Sequence, residues 1–190
     1  MKKILLTCFE PFGGEEKNVT MAVISRISDR VGNFEIEKLT LPVEFSRAAD
    51  IAIKYANEIC VDAVVSLGQA GARSKITPEM VAINLRYASI PDNAGAKPMD
   101  EPVIEGAPNA YFATLPVRKI SESISDYGCP SAVSYSAGTY VCNDLYFSLL
   151  HGFRKSGVGV CFIHLPKESA ELSADRMANV IEKMIENLVI

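Results

Sequence analysis

DAVVSLG, residues 62–68, is the stretch on which the fold turns. Its apolar residues run on without alternation, and Gly68 closes them. Such a strand is buried on both faces, the signature of a parallel sheet covered by helices. KILLTCF (3–9) and GVGVCFIHL (157–165) have the same character. Around them lie segments with helical spacing, from about Thr20 to Val31 and over 46–60, 117–127, 142–154 and 173–188. Three more segments read as strands: FEIEKLTLPV (34–43), SAVSYS (131–136), and EMVAINLRY (79–87) with Val81, Ile83 and Leu85 on one face. This alternation predicts a single α/β domain over 1–190. Its architecture is a three-layer α/β/α sandwich, a largely parallel twisted sheet with 3–9, 62–67 and 158–163 at its centre. Residues 89–109 read as a long loop, and long ordered loops are often functional.

Composition narrows the function. The chain has 190 residues, 48% of them hydrophobic and 22% charged, with a formal net charge of -4. That charge, without a basic cluster, gives no reason to expect nucleic acid or an anionic membrane as a partner. The apolar start is cut short at Glu10-Pro11, so it reads as a first strand and not as a signal peptide. No apolar run approaches the ~18 residues of a membrane span. A cytoplasmic protein is expected. The five cysteines form no C-x-x-C pair. Zinc, a redox dithiol and a secreted disulfide framework are therefore not expected.

In open α/β sheets, ligands bind beyond the carboxyl ends of the strands. That rule gathers Phe9, Phe12, Gln69, Cys142 and His164 at one edge. Cys161 lies three residues before His164 on the same strand, so the two face opposite ways. Cys8 falls inside a strand, and Cys60 and Cys129 lie away from the edge. Cys142 alone combines the functional edge with a helix N-terminus, where the partial positive charge favours thiolate. Simple packing beneath the helix is the other reading of its position. Its imidazole partner is His164, because His151 stands roughly 13 Å along the same helix at the usual rise. Glu79 is the candidate to orient the histidine. Its parity in strand 79–87 puts it on the apolar face, where a carboxylate needs a partner. An exposed glutamate at a strand start is the alternative.

These residues lie in motifs that, taken together, resemble pyroglutamyl peptidase I, a family of cysteine peptidases. The stretches are FEPFGG (9–14), LGQAGARSKITPEMVAIN (67–84), IPDNAG (90–95), GAPNAYFATLP (106–116), SAGTYVCN (136–143) and FIHLP (162–166). The resemblance implies Cys142 as nucleophile, His164 as general base and acid, and Glu79 as the residue orienting it. It implies cleavage of N-terminal pyroglutamate from peptides through a thioester, without metal or cofactor. It also implies that Phe9 and Phe12 line the lactam ring, and that Asn18, Gln69 and the Val141 backbone belong to the pocket. For the phenylalanines ordinary core packing stands beside that reading, and for Asn18 helix capping. Gln69 both donates and accepts, which suits a lactam. Arg86 is a candidate for oxyanion support or for a plain surface role. A homo-oligomer, such as a tetramer, is expected.

The chain departs from the family pattern in three places. Cys8 stands where glycine is common before FEPFGG, and GQAGAR replaces a double glycine before the arginine. The segment after FIHLP is short, which bears on substrate range and subunit contacts. Two other readings remain open at this point. One is another hydrolase or a nucleoside phosphorylase on a similar scaffold, which would want anion-binding arginines at the site. The other is a module that binds pyroglutamyl peptides without cleaving them.

Overall fold

The three apolar runs lie side by side in one six-stranded sheet. A computed structural model describes residues 1–190. In chain order the elements are β1 (Lys2–Phe9), α1 (Val19–Ile24), β2 (Arg30–Val31), β3 (Phe34–Leu41) and α2 (Arg47–Glu58). Then come β4 (Ala63–Gln69), β5 (Thr77–Pro78), β6 (Val81–Ile83), β7 (Ala110–Phe112) and α3 (Val117–Asp126). α4 (Val141–Phe153), β8 (Gly159–Leu165) and α5 (Ala174–Glu186) complete the chain. The strand order is β2-β3-β1-β4-β8-β5. The inner four strands are parallel, and β2 and β5 are short antiparallel edges.

Side-chain alternation sends the two faces of the sheet into two separate cores. Ile4, Leu6, Val65, Leu67 and Ile163 meet α1, α3 and α5. Leu5, Val64, Val160 and Phe162 meet α2 and α4. Full burial of one such side chain stabilises the fold by about 1.5–3 kcal/mol. α4 is buried on almost every side, between the sheet, α2 and the β6–β7 ribbon. A helix apolar all round needs such a position. Asn143, wholly buried on it, is fully engaged. Its amide donates to the Ile83 and Leu85 carbonyls at 2.8 and 3.1 Å and accepts from the Ile83 N–H at 2.9 Å. This clasp fixes the start of α4 against β6.

From β1 the chain passes to β3 on one side and then to β4 on the other. The resulting switch point lies between the carboxyl ends of β1 and β4, at Phe9 and Gln69.

Three expected elements differ. The first helix ends at Ile24, not Val31, and Arg30–Val31 form β2. Gly32 (φ 56°) and Asn33 make a two-residue hairpin turn to β3. Residues 131–136 are not a strand, although they run beside 76–79 in strand fashion. The Ile76 N–H bonds Pro130, Ala132 bonds Ile76, Ser134 bonds Pro78 and Met80 bonds Ser134. The one missing rung is the N–H that Pro78 lacks, so only isolated bridges remain. Lastly, β6 is three residues long and pairs with β7 away from the main sheet. Its buried residue is Ala82, while Val81 and Ile83 are half-buried, the opposite of the expected parity.

Candidate active site

Glu79 precedes β6 and is buried because it continues the antiparallel run of β5 alongside β8. Its N–H donates to the Phe162 carbonyl at 2.8 Å, and its carbonyl accepts from the Tyr146 hydroxyl at 2.9 Å. Its carboxylate has no exposure at all. One oxygen, Oε1, accepts from His164 Nδ1 at 2.7 Å and from Arg73 Nη1 at 2.6 Å. The other, Oε2, is buried without a partner among the protein groups. Arg73 is held in turn by Thr77 Oγ1 and by the Ser136 carbonyl at 3.0 Å. Sequence reasoning did not single out Arg73. The requirement that a buried carboxylate be paired was its signal.

With Nδ1–H donating to the carboxylate, His164 keeps Nε2 as a lone-pair acceptor. The ring is buried and packs on Phe162, with centroids 4.8 Å apart. Burial lowers its pKa below the ordinary value; Glu79 opposes that shift, and Arg73 adds to it. Gly68 faces both rings. A methyl group there would meet Phe162 at 2.6 Å and His164 Cδ2 at 3.0 Å. Gly68→Ala should therefore cost about 1–3 kcal/mol of stability, as overpacking does. It should also depress kcat by displacing the imidazole; thermal unfolding and steady-state kinetics measure the two effects.

Cys142 is the second residue of α4. No side chain caps this helix, and the N–H groups of Val141, Cys142 and Asn143 make no hydrogen bond to another residue. The dense surroundings push the thiol up to about 12. Desolvation is the largest cause, repulsion by Glu79 adds to it, and Arg73 and the local N–H oppose it. Lost hydration here opposes the partial positive charge of the helix start. Burial thus disfavours the thiolate and the imidazolium alike.

Beside the thiol is a narrow recess of about 10 Å³, far below the roughly 300–1,000 Å³ of drug-sized sites. Phe9, Phe12, Asn18, Gln69, Val141 and Cys142 line it, and Val43 and Tyr140 complete the wall. Phe9 also packs in the core, with its ring 6.4 Å from Phe162. Asn18 caps α1 through Thr20 and donates to the Glu10 carbonyl at 3.0 Å, so capping and cavity wall coexist. Gln69 Oε1 accepts from the Val19 N–H at 2.8 Å. The NH₂ end of Gln69 makes no hydrogen bond in the chain and is free to donate to a ligand, while its oxygen already serves Val19.

Arg86 is placed differently from the oxyanion role considered for it. Its guanidinium pairs with the buried carboxylate of Asp144 and donates to Ser46 Oγ at 2.8 Å. Arg73 is likewise committed to Glu79, so neither arginine is free to bind phosphate as a phosphorylase would require. No His, Cys, Asp or Glu cluster suits a metal ion.

A thiol at a helix start beside a small apolar recess, and an imidazole steered by a buried carboxylate, are the parts of a cysteine hydrolase on an α/β scaffold. The family model described as Pyroglutamyl peptidase matches residues 2–188, and the chain belongs to that family. Among curated relatives, the pyrrolidone-carboxylate peptidase of Thermococcus kodakarensis is 46% identical over 166 residues, 86% of this chain and 81% of that protein. The one from Erwinia tasmaniensis is 43% identical over 167 residues, 87% of this chain and 78% of that protein. Among solved structures, the pyrrolidone carboxyl peptidase of Thermococcus litoralis superposes with a TM-score of 0.93 at 38% identity, covering 98% of this chain and 92% of that one. Pyroglutamyl peptidase I of Bacillus amyloliquefaciens gives 0.91 at 36% identity, covering 98% and 96%.

Proposed function

We propose that this chain removes N-terminal pyroglutamate from peptides, with Cys142, His164 and Glu79 as its catalytic residues. The observation that carries the reading is the single cavity wall shared by Phe9, Phe12, Gln69 and Cys142. The five-membered lactam is small and apolar on its faces, and its carbonyl accepts one hydrogen bond. The phenyl rings receive the faces, and the free NH₂ of Gln69 donates to the lactam oxygen.

Burial disfavours both the thiolate and the imidazolium, and that sets the order of events. His164 Nε2 takes the thiol proton as sulfur attacks the pyroglutamyl carbonyl carbon, and a C–S bond forms. The negative charge moves onto the carbonyl oxygen, where the unengaged N–H groups at the start of α4 stabilise it. His164, now an imidazolium steadied by Glu79, gives its proton to the departing amine as the C–N bond breaks. Water, deprotonated by His164, then hydrolyses the thioester and restores the thiol. Glu79 holds the tautomer throughout and Arg73 holds Glu79.

The test is hydrolysis of a pyroglutamyl–chromophore amide against pH, with the prolyl amide as control. Turnover of the first only is expected. Its kcat/KM should fall on the acid side with an apparent pKa below the ordinary 6.5 of histidine, because the protonated ring cannot accept the thiol proton. It should stay level well into the alkaline range, because burial pushes the thiol up to about 12. Equal turnover of the prolyl amide would remove the lactam-specific reading.

The same reading makes the chain a cytoplasmic homo-oligomer. All five cysteines are unpaired, as in a reducing compartment. Phe112 and Tyr135, 71% and 61% exposed, offer apolar surface for subunit contact.

A further inference from the structure

Three of the stretches that build the pocket wall are the loop carrying Phe12, the segment Val43–Phe45, and Tyr140 ahead of α4. Each is tied to the same three residues, Pro91, Asp92 and Asn93. The Asn93 side chain donates to the Pro11 carbonyl at 2.9 Å, and its backbone N–H donates to the Val43 carbonyl at 2.9 Å. Asp92 Oδ2 accepts from the Phe45 N–H at 2.9 Å. The Tyr140 hydroxyl donates to the Pro91 carbonyl at 3.0 Å. Pro91, Asp92 and Asn93 themselves line no part of the cavity.

The segment is rigid in its own right. Asp92 is buried, and its Oδ1 accepts from the Ala94 and Ala96 N–H groups at 3.0 and 2.8 Å. Gly95, in the left-handed region at φ 89°, closes the turn back onto the Asp92 carbonyl at 3.0 Å. The aromatic wall depends on this brace. Tyr140 stands 6.0 Å from Phe12 and edge-on to Phe45 at 5.4 Å, centroid to centroid. Moving any one of the three anchor points changes the gap between these rings, and hence the width available to a ring held between them.

We infer that residues 91–93 are a specificity-setting brace, with Asn93 as a positioning residue that fixes the pocket to the width of a five-membered lactam. The inference rests on the proposed pyroglutamyl activity. Asn93 is exposed, so its substitution removes a hydrogen bond without opening the core. Asn93→Asp keeps the shape of the side chain and loses the donor to Pro11; Asn93→Ala loses both. Tyr140→Phe keeps the ring and loses the bond to Pro91.

The experiment compares a pyroglutamyl amide with its six-membered lactam homologue on wild type and these three variants. One added methylene should cost the wild type about 10–200-fold in kcat/KM. In each variant KM for the five-membered substrate should rise about three- to tenfold, the fold-change equivalent of one hydrogen bond. kcat should hold, and the preference for the smaller ring should shrink by a similar factor. Unchanged KM with unchanged ring preference, or a loss confined to kcat, would overturn the brace while leaving the activity standing. A wild type that cleaves neither amide would overturn the activity and the brace together.

Discussion

Cys142→Ala is expected to bring hydrolysis of the pyroglutamyl amide below detection while leaving the pocket able to bind. The thiol is the only nucleophile lining the cavity, and the water step needs the thioester that sulfur forms. Catalysis from the pocket and the helix N–H groups alone would leave about 10³–10⁴-fold over the uncatalysed reaction, far below an enzyme assay. Cys142→Ser should fare little better. A hydroxyl holds its proton more tightly than a thiol, and burial has already lowered the basicity of His164. Affinity for a pyroglutamyl amide, read by equilibrium dialysis, should change little in either variant because the lactam contacts belong to Phe9, Phe12 and Gln69. Alkylation gives a parallel view. Cys60 is exposed and Cys142 partly so, whereas Cys8, Cys129 and Cys161 are buried. Iodoacetamide should modify those two alone, and modification of Cys142 should quicken steeply as pH rises toward its high pKa. In a Cys60→Ser background, loss of activity should track that single adduct. Activity that survives complete modification of Cys142 would remove the thioester route.

The parts of this architecture that could be read from the sequence are those whose cause is local. KILLTCF, DAVVSLG and GVGVCFIHL announce buried strands because both faces of each must be apolar, and they are β1, β4 and β8, adjacent at the centre of the sheet. Cys142 and Phe9 follow from strand ends and a helix start. What was illegible depends on partners distant in sequence. Val23, Ile24 and Ile27 keep helical spacing although the chain leaves the helix after Ile24, because all three sit in one core whichever way the backbone runs. Residues 131–136 lose their strand character through Pro78, a feature of the neighbouring segment. Glu79 is buried as expected, but through its antiparallel run alongside β8 and not through the parity of β6. Arg86 is drawn away from the reacting atoms by Asp144, 58 residues further on.

Glu79→Gln should lower kcat/KM by about 10³–10⁴-fold, the scale on which an isosteric amide harms a nucleophile–histidine–carboxylate triad. A carboxylate can only accept, and so it commands Nδ1–H and leaves Nε2 unprotonated. An amide can present either end. Beside the Arg73 guanidinium its oxygen is drawn to the arginine, and its NH₂ is left to donate to Nδ1. The ring proton then moves to Nε2, the atom that must receive the thiol proton. Two further shifts separate this loss from plain misfolding. Glu79 raises the pKa of His164, so without it the acid limb of any residual activity should move to lower pH. Glu79 also raises the pKa of Cys142, so the thiol should ionise more readily and alkylate faster at a given alkaline pH. Activity and thiol reactivity thus move in opposite directions, which no general loosening of the fold predicts. Should the variant keep activity within tenfold of wild type, or its acid limb shift upward, Glu79 would be a buried structural carboxylate and the histidine would owe its orientation to packing against Phe162.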